Sequence, residues 1–250
     1  MSVDYFRFGK GTQDLVFVQG LSLWDIDAVS AAGMKLAYRR YGKRFRVHVF
    51  DRPAQLPADC SIEFLADDLA ARMAQKGITN AYLVGVSQGG MIAQYLALKH
   101  PDLVRKLLLV VTCAQPDDVL RGVVANWLEL AAKGDQRGLV MDFMPRVYSK
   151  AYIKRNGWML PFLARKKTMP MERFSTLTRA LLTLDTLEQL PDIACPVYAL
   201  GGACDGIVSI EAFQRMVGAL GCDSYVYPDL AHGIYDEARD FHDRVLAFLG

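Results

Sequence analysis

The chain has 250 residues, 52% hydrophobic and 22% charged, with 29 basic and 27 acidic side chains and a formal net charge of +2. This composition excludes a disordered chain, which lacks the apolar residues needed for a core. The charge balance gives no electrostatic case for nucleic acid, whose binding leans on clustered lysine and arginine.

The length suits one α/β domain, with room for a subdomain. The segment Met1–Gly9 has no basic region, no long apolar stretch and no small-residue cleavage site, so no signal peptide is expected and the predicted location is cytoplasmic. No apolar run reaches the roughly 20 residues of a membrane span. Five cysteines (Cys60, Cys113, Cys195, Cys204, Cys222) show no C-x-x-C spacing, which argues against a disulfide framework or a zinc site. Neither H-E-x-x-H, G-x-G-x-x-G nor a Walker sequence occurs, so neither a metal nor a cofactor is expected.

In chain order, short aliphatic runs alternate with stretches of helical period. Leu15–Val18 reads as a strand, Asp25–Arg39 as a helix and Arg46–Phe50 as a strand. Ser61–Lys76 is a helix, with Ser61 as N-cap and Gly77 as its stop. Ala81–Val86 is a strand, Gly89–Lys99 a helix ending before Pro101, and Leu107–Val111 a strand. Late in the chain come strand Val197–Leu200, helix Ile210–Leu220, strand Ser224–Tyr227 and helix Asp236–Leu249. Such alternation implies right-handed crossovers and a mostly parallel central sheet with helices on both faces. Between about residues 116 and 190 no strand is expected. Helical pieces near Val119–Lys133, Leu139–Tyr148 and Met171–Leu184 predict a helical cap over one end of the sheet. The expected division is a core of 1–115 and 191–250 and a cap of 116–190.

Gly85-Val-Ser87-Gln-Gly89 fits G-x-S-x-G, directly after the apolar strand and directly before a helix. That is the setting of a nucleophile elbow. A sharp turn projects the serine Oγ over the sheet edge, glycines on both sides avoid clashes, and the helix start aims N–H groups at a developing anion.

With this elbow and order of elements, nearly the whole chain resembles the α/β-hydrolase family, which uses nucleophile, acid and histidine in that chain order. The resemblance implies Ser87 as nucleophile and His232, in Pro228–Asp236 between the last strand and the last helix, as base. Asp205, after the strand Val197–Leu200, becomes the acid that orients His232. Asp229 and Asp117 are rival acids. His48, His100 and His242 read as structural or solvated. The backbone N–H groups of Leu21 and Gln88 would form the oxyanion hole. Two departures stand out. Gln19 precedes Gly20 where the family usually has histidine, leaving open how that loop is braced. Asp51–Ala58 replaces the Gly-rich turn Asp-x-x-Gly-x-Gly-x-Ser.

The cap is rich in Trp127, Met141, Phe143, Met144, Tyr148, Trp158, Met159 and Phe162, which suit a pocket roof or simple packing. Arg146, Lys150, Lys154, Arg155 and Arg165–Lys167 form a basic run, read as a solvated face or an attractor of anionic substrates or membrane surfaces. The expectation is a metal-free serine hydrolase of a small ester, thioester or lactone, similar to enol-lactonase-like and esterase-like members. Its partner is a small-molecule acyl substrate. An apolar cap interface could also support a homodimer. Carbon–carbon hydrolysis, acyl transfer and a non-catalytic ligand receptor are the alternatives.

Overall fold

The computed structural model describes residues 3–250; the first two residues of the Met1–Gly9 segment lie outside them. The first half of the chain runs β1 (Tyr5–Phe8), β2 (Gln13–Val18), α1 (Ala28–Ala37), β3 (Phe45–Phe50), α2 (Ile62–Gln75), β4 (Ala81–Val86), α3 (Gln88–Lys99) and β5 (Val104–Val110). Five helices follow without an intervening strand: α4 (Asp118–Ala132), α5 (Gln136–Val147), α6 (Lys150–Asn156), α7 (Leu160–Leu163) and α8 (Met171–Ala180). The chain then returns through β6 (Val197–Gly202), α9 (Ile210–Leu220), β7 (Asp223–Tyr227), α10 (Ile234–Glu237) and α11 (Phe241–Leu249).

The strands form one sheet in the order β1-β3-β2-β4-β5-β6-β7, parallel except for β1, which runs antiparallel to β3. Side chains alternate across it. Val16 and Val18 face the layer containing Leu65, Ile92 and Phe213 from α2, α3 and α9. Leu15 and Phe17 face Ala31, Phe241 and Val245 from α1 and α11. Burial on both faces explains why β4 is apolar throughout. The chain steps from β2 to β3 on one side and then crosses to β4 on the other. That reversal opens a crevice beyond the carboxyl ends of β2 and β4, where open α/β sheets bind ligands. Among the described residues, no helix is long and apolar enough to cross a membrane.

Several boundaries differ from the sequence expectation for local reasons. Helix α1 begins at Ala28 rather than Asp25 because Asp27 takes the N-cap: it accepts from Ser30 N at 2.7 Å while Ser30 Oγ accepts from Asp27 N at 2.8 Å. The expected helix Asp236–Leu249 is two helices broken at Ala238–Asp240, because Ser149 holds Glu237 while Phe241, Val245 and Leu249 bury a separate face. Strand β1 was not anticipated; four residues at a sheet edge carry too little period to declare themselves. Helix α6 was missed as well, although Ser149 caps it by accepting from Tyr152 N at 3.1 Å. Ser61 caps α2 as expected, and Gly77 just beyond it has φ +66°.

Candidate active site

Ser87 sits at the end of β4 with φ 55° and ψ −122°, outside the usual regions for a residue with a Cβ. Such a conformation costs on the order of 1–3 kcal/mol and persists only where its surroundings impose it. Here Ser87 N donates to Val110 O at 2.8 Å, and Ser87 O accepts from Thr112 Oγ1 at 2.9 Å. The turn also requires close backbone approach. A Cβ on Gly89 would lie 2.0 Å from Val18 O, and one on Gly85 would lie 2.6 Å from Gly89 O. These glycines let α3 start against the ends of β2 and β4, with Ser87 half-buried at its head.

His232 lies between β7 and α10, buried. Its Nδ1 is 2.7 Å from Asp205 Oδ2, and a carboxylate can only accept, so the proton resides on Nδ1. Asp205 is fixed in turn: its Oδ1 accepts from Ile207 N at 2.8 Å and Val208 N at 3.0 Å. Ser87 and His232 line one narrow cavity together with Leu21, Met91, Trp127, Phe143 and Val208. No hydrogen bond between Ser87 Oγ and His232 occurs among the described residues; such contacts are often long before substrate is present. The rival acids lie elsewhere. Asp117 caps α4 through Leu120 N at 2.9 Å and accepts from Ser209 Oγ, while Asp229 is exposed. Of the other histidines, His100 lies half-buried at the end of α3 away from the cavity, and two are held by hydrogen bonds. His48 lies between Tyr5 Oη and Asp14 Oδ1, each at 2.8 Å, and His242 meets Tyr41 Oη at 2.7 Å.

Gln88 opens α3, where the first N–H groups lack helical acceptors, and its side chain is buried. Leu21 N has no acceptor among the described residues. Sequence reasoning missed the residue that joins these two segments. Buried Arg52 donates through Nε to Gln88 Oε1 at 3.2 Å and through Nη2 to Gln19 O. Gln88 Nε2 donates to Leu177 O of α8 at 2.7 Å. Arg173, also on α8, donates to Pro53 O at 2.7 Å, Ala54 O at 3.2 Å and Arg52 O at 3.2 Å. The Gln19 loop is therefore braced by an arginine from the remodelled loop after β3, and that loop is held by α8. Burial pulls the Arg52 guanidinium down to about 10, still well above neutral, so it remains charged. The only sequence signal was the unusual Asp51-Arg-Pro itself.

A larger cleft of about 320 Å³ adjoins the narrow cavity, sharing Gly20, Leu21, Phe143, Val147 and Tyr235 with it. Its walls include Trp24, Tyr38, Arg52, Tyr148 and Lys166. Burial pushes the Tyr38 and Tyr235 phenols upward, keeping both protonated as neutral donors. Among the described residues, no His, Cys, Asp or Glu cluster of three or more is arranged to hold a metal ion.

Residues 15–238 match the family of the α/β hydrolase fold. The chain belongs to that family. This α/β hydrolase is 30% identical to a pimeloyl-[acyl-carrier protein] methyl ester esterase of Vibrio atlanticus, covering 98% of this chain and 97% of that one. It also superposes on the enol-lactonase of Burkholderia xenovorans with a TM-score of 0.84 at 21% identity, covering 98% and 95% of the two chains. An esterase of Thermogutta terrifontis gives a TM-score of 0.80 at 21% identity, covering 98% and 92%. The two solved structures speak for the fold of this hydrolase alone.

The aromatic residues of the α4–α8 region divide into two sets. Trp127 and Phe143 stack at 4.8 Å between ring centroids and face the cavity, joined at the cleft by Met144 and Tyr148. Met141, Trp158, Met159 and Phe162 are exposed and line neither cavity, so the pocket-roof reading does not hold for these four. The α5–α6 junction is tied to the His232 loop of the hydrolase. Gly233 N donates to Val147 O at 2.6 Å, and Ser149 N donates to Glu237 Oε1 at 2.9 Å.

Proposed function

We propose that this hydrolase cleaves a small carboxylic ester, thioester or lactone through an acyl-enzyme on Ser87. The observation that carries the reading is the His232–Asp205 pair at 2.7 Å, opening on the same cavity as the strained Ser87. In this mechanism, His232 Nε2 removes the Ser87 proton as Oγ attacks the carbonyl carbon. The carbonyl π electrons move to oxygen, and the Leu21 and Gln88 N–H groups stabilise the oxyanion. Collapse expels the alcohol, thiol or ring oxygen, which takes the proton from His232. Water, deprotonated by the same imidazole, attacks the acyl-enzyme and releases the acid and Ser87. Asp205 holds the required tautomer and stabilises the imidazolium. Residues 116–190 act as a cap whose inward side chains, Trp127, Phe143 and Val147, size the acyl site.

The name of the Vibrio esterase relative supports ester cleavage over carbon–carbon cleavage. The test is a fluorophosphonate probe together with a series of short and long acyl esters, applied to the wild type and Ser87→Ala. Labelling and turnover are expected in the wild type and lost in the variant. Undiminished turnover by Ser87→Ala would remove the serine from the mechanism. Tight ligand binding by a folded wild type with negligible turnover would point to a receptor instead.

A further inference from the structure

Between Asp142 and Glu172 the chain contains no acidic residue, yet it carries Lys150, Lys154, Arg155, Arg165, Lys166 and Lys167. All six are exposed, and none joins an ion pair among the described residues. Some surface cations elsewhere do find partners, as Lys133 meets Glu129 at 2.6 Å and Lys99 meets Asp67 at 2.7 Å, and others such as Lys35 and Lys43 join no ion pair among the described residues. What sets this stretch apart is six cations with no acidic residue among them. The same short stretch exposes apolar side chains that a folded surface gains nothing by showing. Trp158 is 69% exposed, Phe162 62% and Met159 41%. Trp158 and Phe162 meet edge to face with centroids 6.3 Å apart, so they form one aromatic projection. Trp158 lies on the turn after α6 and Phe162 within α7, and the cations flank both in sequence.

We infer that the α6–α7 face is a docking surface for an anionic lipid bilayer. The uncompensated positive charge complements acidic headgroups, and in sequence it flanks exposed aromatic residues that favour the water–hydrocarbon boundary. A lipid surface fits better than an acidic protein. The apolar contact is a small protruding pair that lines no cavity, whereas a stable protein interface needs about 800 Å² on each partner, with a well-packed apolar centre. The aromatic pair needs only to enter the headgroup layer. The far end of the stretch also reaches the cleft. Lys166 lines it, with Nζ 5.6 Å from the centre of the Trp24 ring. Docking would therefore bring the mouth of the cleft toward the membrane plane. Docking at this face does not depend on the reaction at Ser87.

The test is co-sedimentation of the full chain with phosphatidylcholine vesicles, with and without phosphatidylglycerol. Binding is expected to be about 100-fold tighter to the anionic vesicles, weakening steeply with salt. Trp158→Ser with Phe162→Ser should weaken it roughly tenfold or more. Substituting Gln for Lys150, Lys154 and Arg155 should do the same. Since these side chains are exposed, turnover of a water-soluble ester should stay unchanged and report intact folding. Trp158 emission should shift to the blue on binding. Absence of binding to anionic vesicles at low salt overturns the inference. So does binding that ignores the aromatic substitutions, or capture by an acidic polypeptide with none by vesicles.

Discussion

Asp205→Asn tests the proposed mechanism with almost no change in shape. In the native site one carboxylate oxygen faces His232 Nδ1 while the other accepts two N–H groups, from Ile207 and Val208. An asparagine must choose which side receives its NH₂. Turning the NH₂ toward Ile207 and Val208 sets donors against donors and strands two amide hydrogens. At about 1–3 kcal/mol for each stranded group, that orientation is disfavoured by roughly 2–6 kcal/mol. The amide oxygen therefore stays on the backbone, and its NH₂ faces Nδ1. His232 must then accept at Nδ1 and carry its proton on Nε2, where it cannot take the proton of Ser87. A loss of about 10⁴ in kcat is expected, as for the equivalent wrong-tautomer substitution in serine proteases. KM and thermal stability should change little, since shape and both backbone bonds survive. Steady-state hydrolysis of a chromogenic acyl ester and a thermal melt suffice. A variant within tenfold of wild-type kcat would show that Asp205 does not set the tautomer.

Arg52→Met strands Gln88 Oε1 and Gln19 O at once; at about 1–3 kcal/mol per stranded acceptor, denaturant melts should show a stability loss near 2 kcal/mol or more. Its kcat should fall at least about tenfold as the Leu21 and Gln88 donors lose alignment, whereas a role confined to substrate binding would raise KM alone. Gly89→Ala would place a methyl 2.0 Å from Val18 O, so soluble folded protein with normal phosphonate labelling would contradict the close approach of α3. Burial drives His48 below its ordinary value, with Asp14 opposing only in part, and burial does the same to His242. The unfolded chain therefore binds more protons as pH falls below about 6.5, so the stability present above that value drains away toward the depressed folded values. Tm should fall between about pH 7 and pH 5.5, with a shallower slope in His48→Gln, and an unchanged slope in both His48→Gln and His242→Gln would refute the assignment.

The local signals were legible because they are short-range. Ser61 declared a cap, Gly77 a stop, and Gly85–Gly89 a tight strand-to-helix turn. Each follows from the steric preferences of a few neighbouring residues. Apolar strands buried on both faces announced a parallel sheet for the same reason. The resemblance supplied Asp205 and His232, but only folding brings these two, 27 positions apart, within 2.7 Å. Asp117 carried the same carboxylate; it caps α4 locally through Leu120 N, and folding adds only the Ser209 Oγ donor from the start of α9.

The sequence by itself determined the alternation, the turn at Ser87 and the family likeness, since these reside in local pattern and order. The tertiary structure decided which arginine braces the Gln19 loop. Arg52 reaches Gln19 only because β2 and β3 are neighbours in the sheet, and it reaches Gln88 only because α3 starts beneath them. It also decided which aromatics of the α4–α8 region face the cavity and which face solvent. Trp127 and Trp158 are the same residue type in the same helical region, and their different burial depends on contacts between helices that no local pattern encodes.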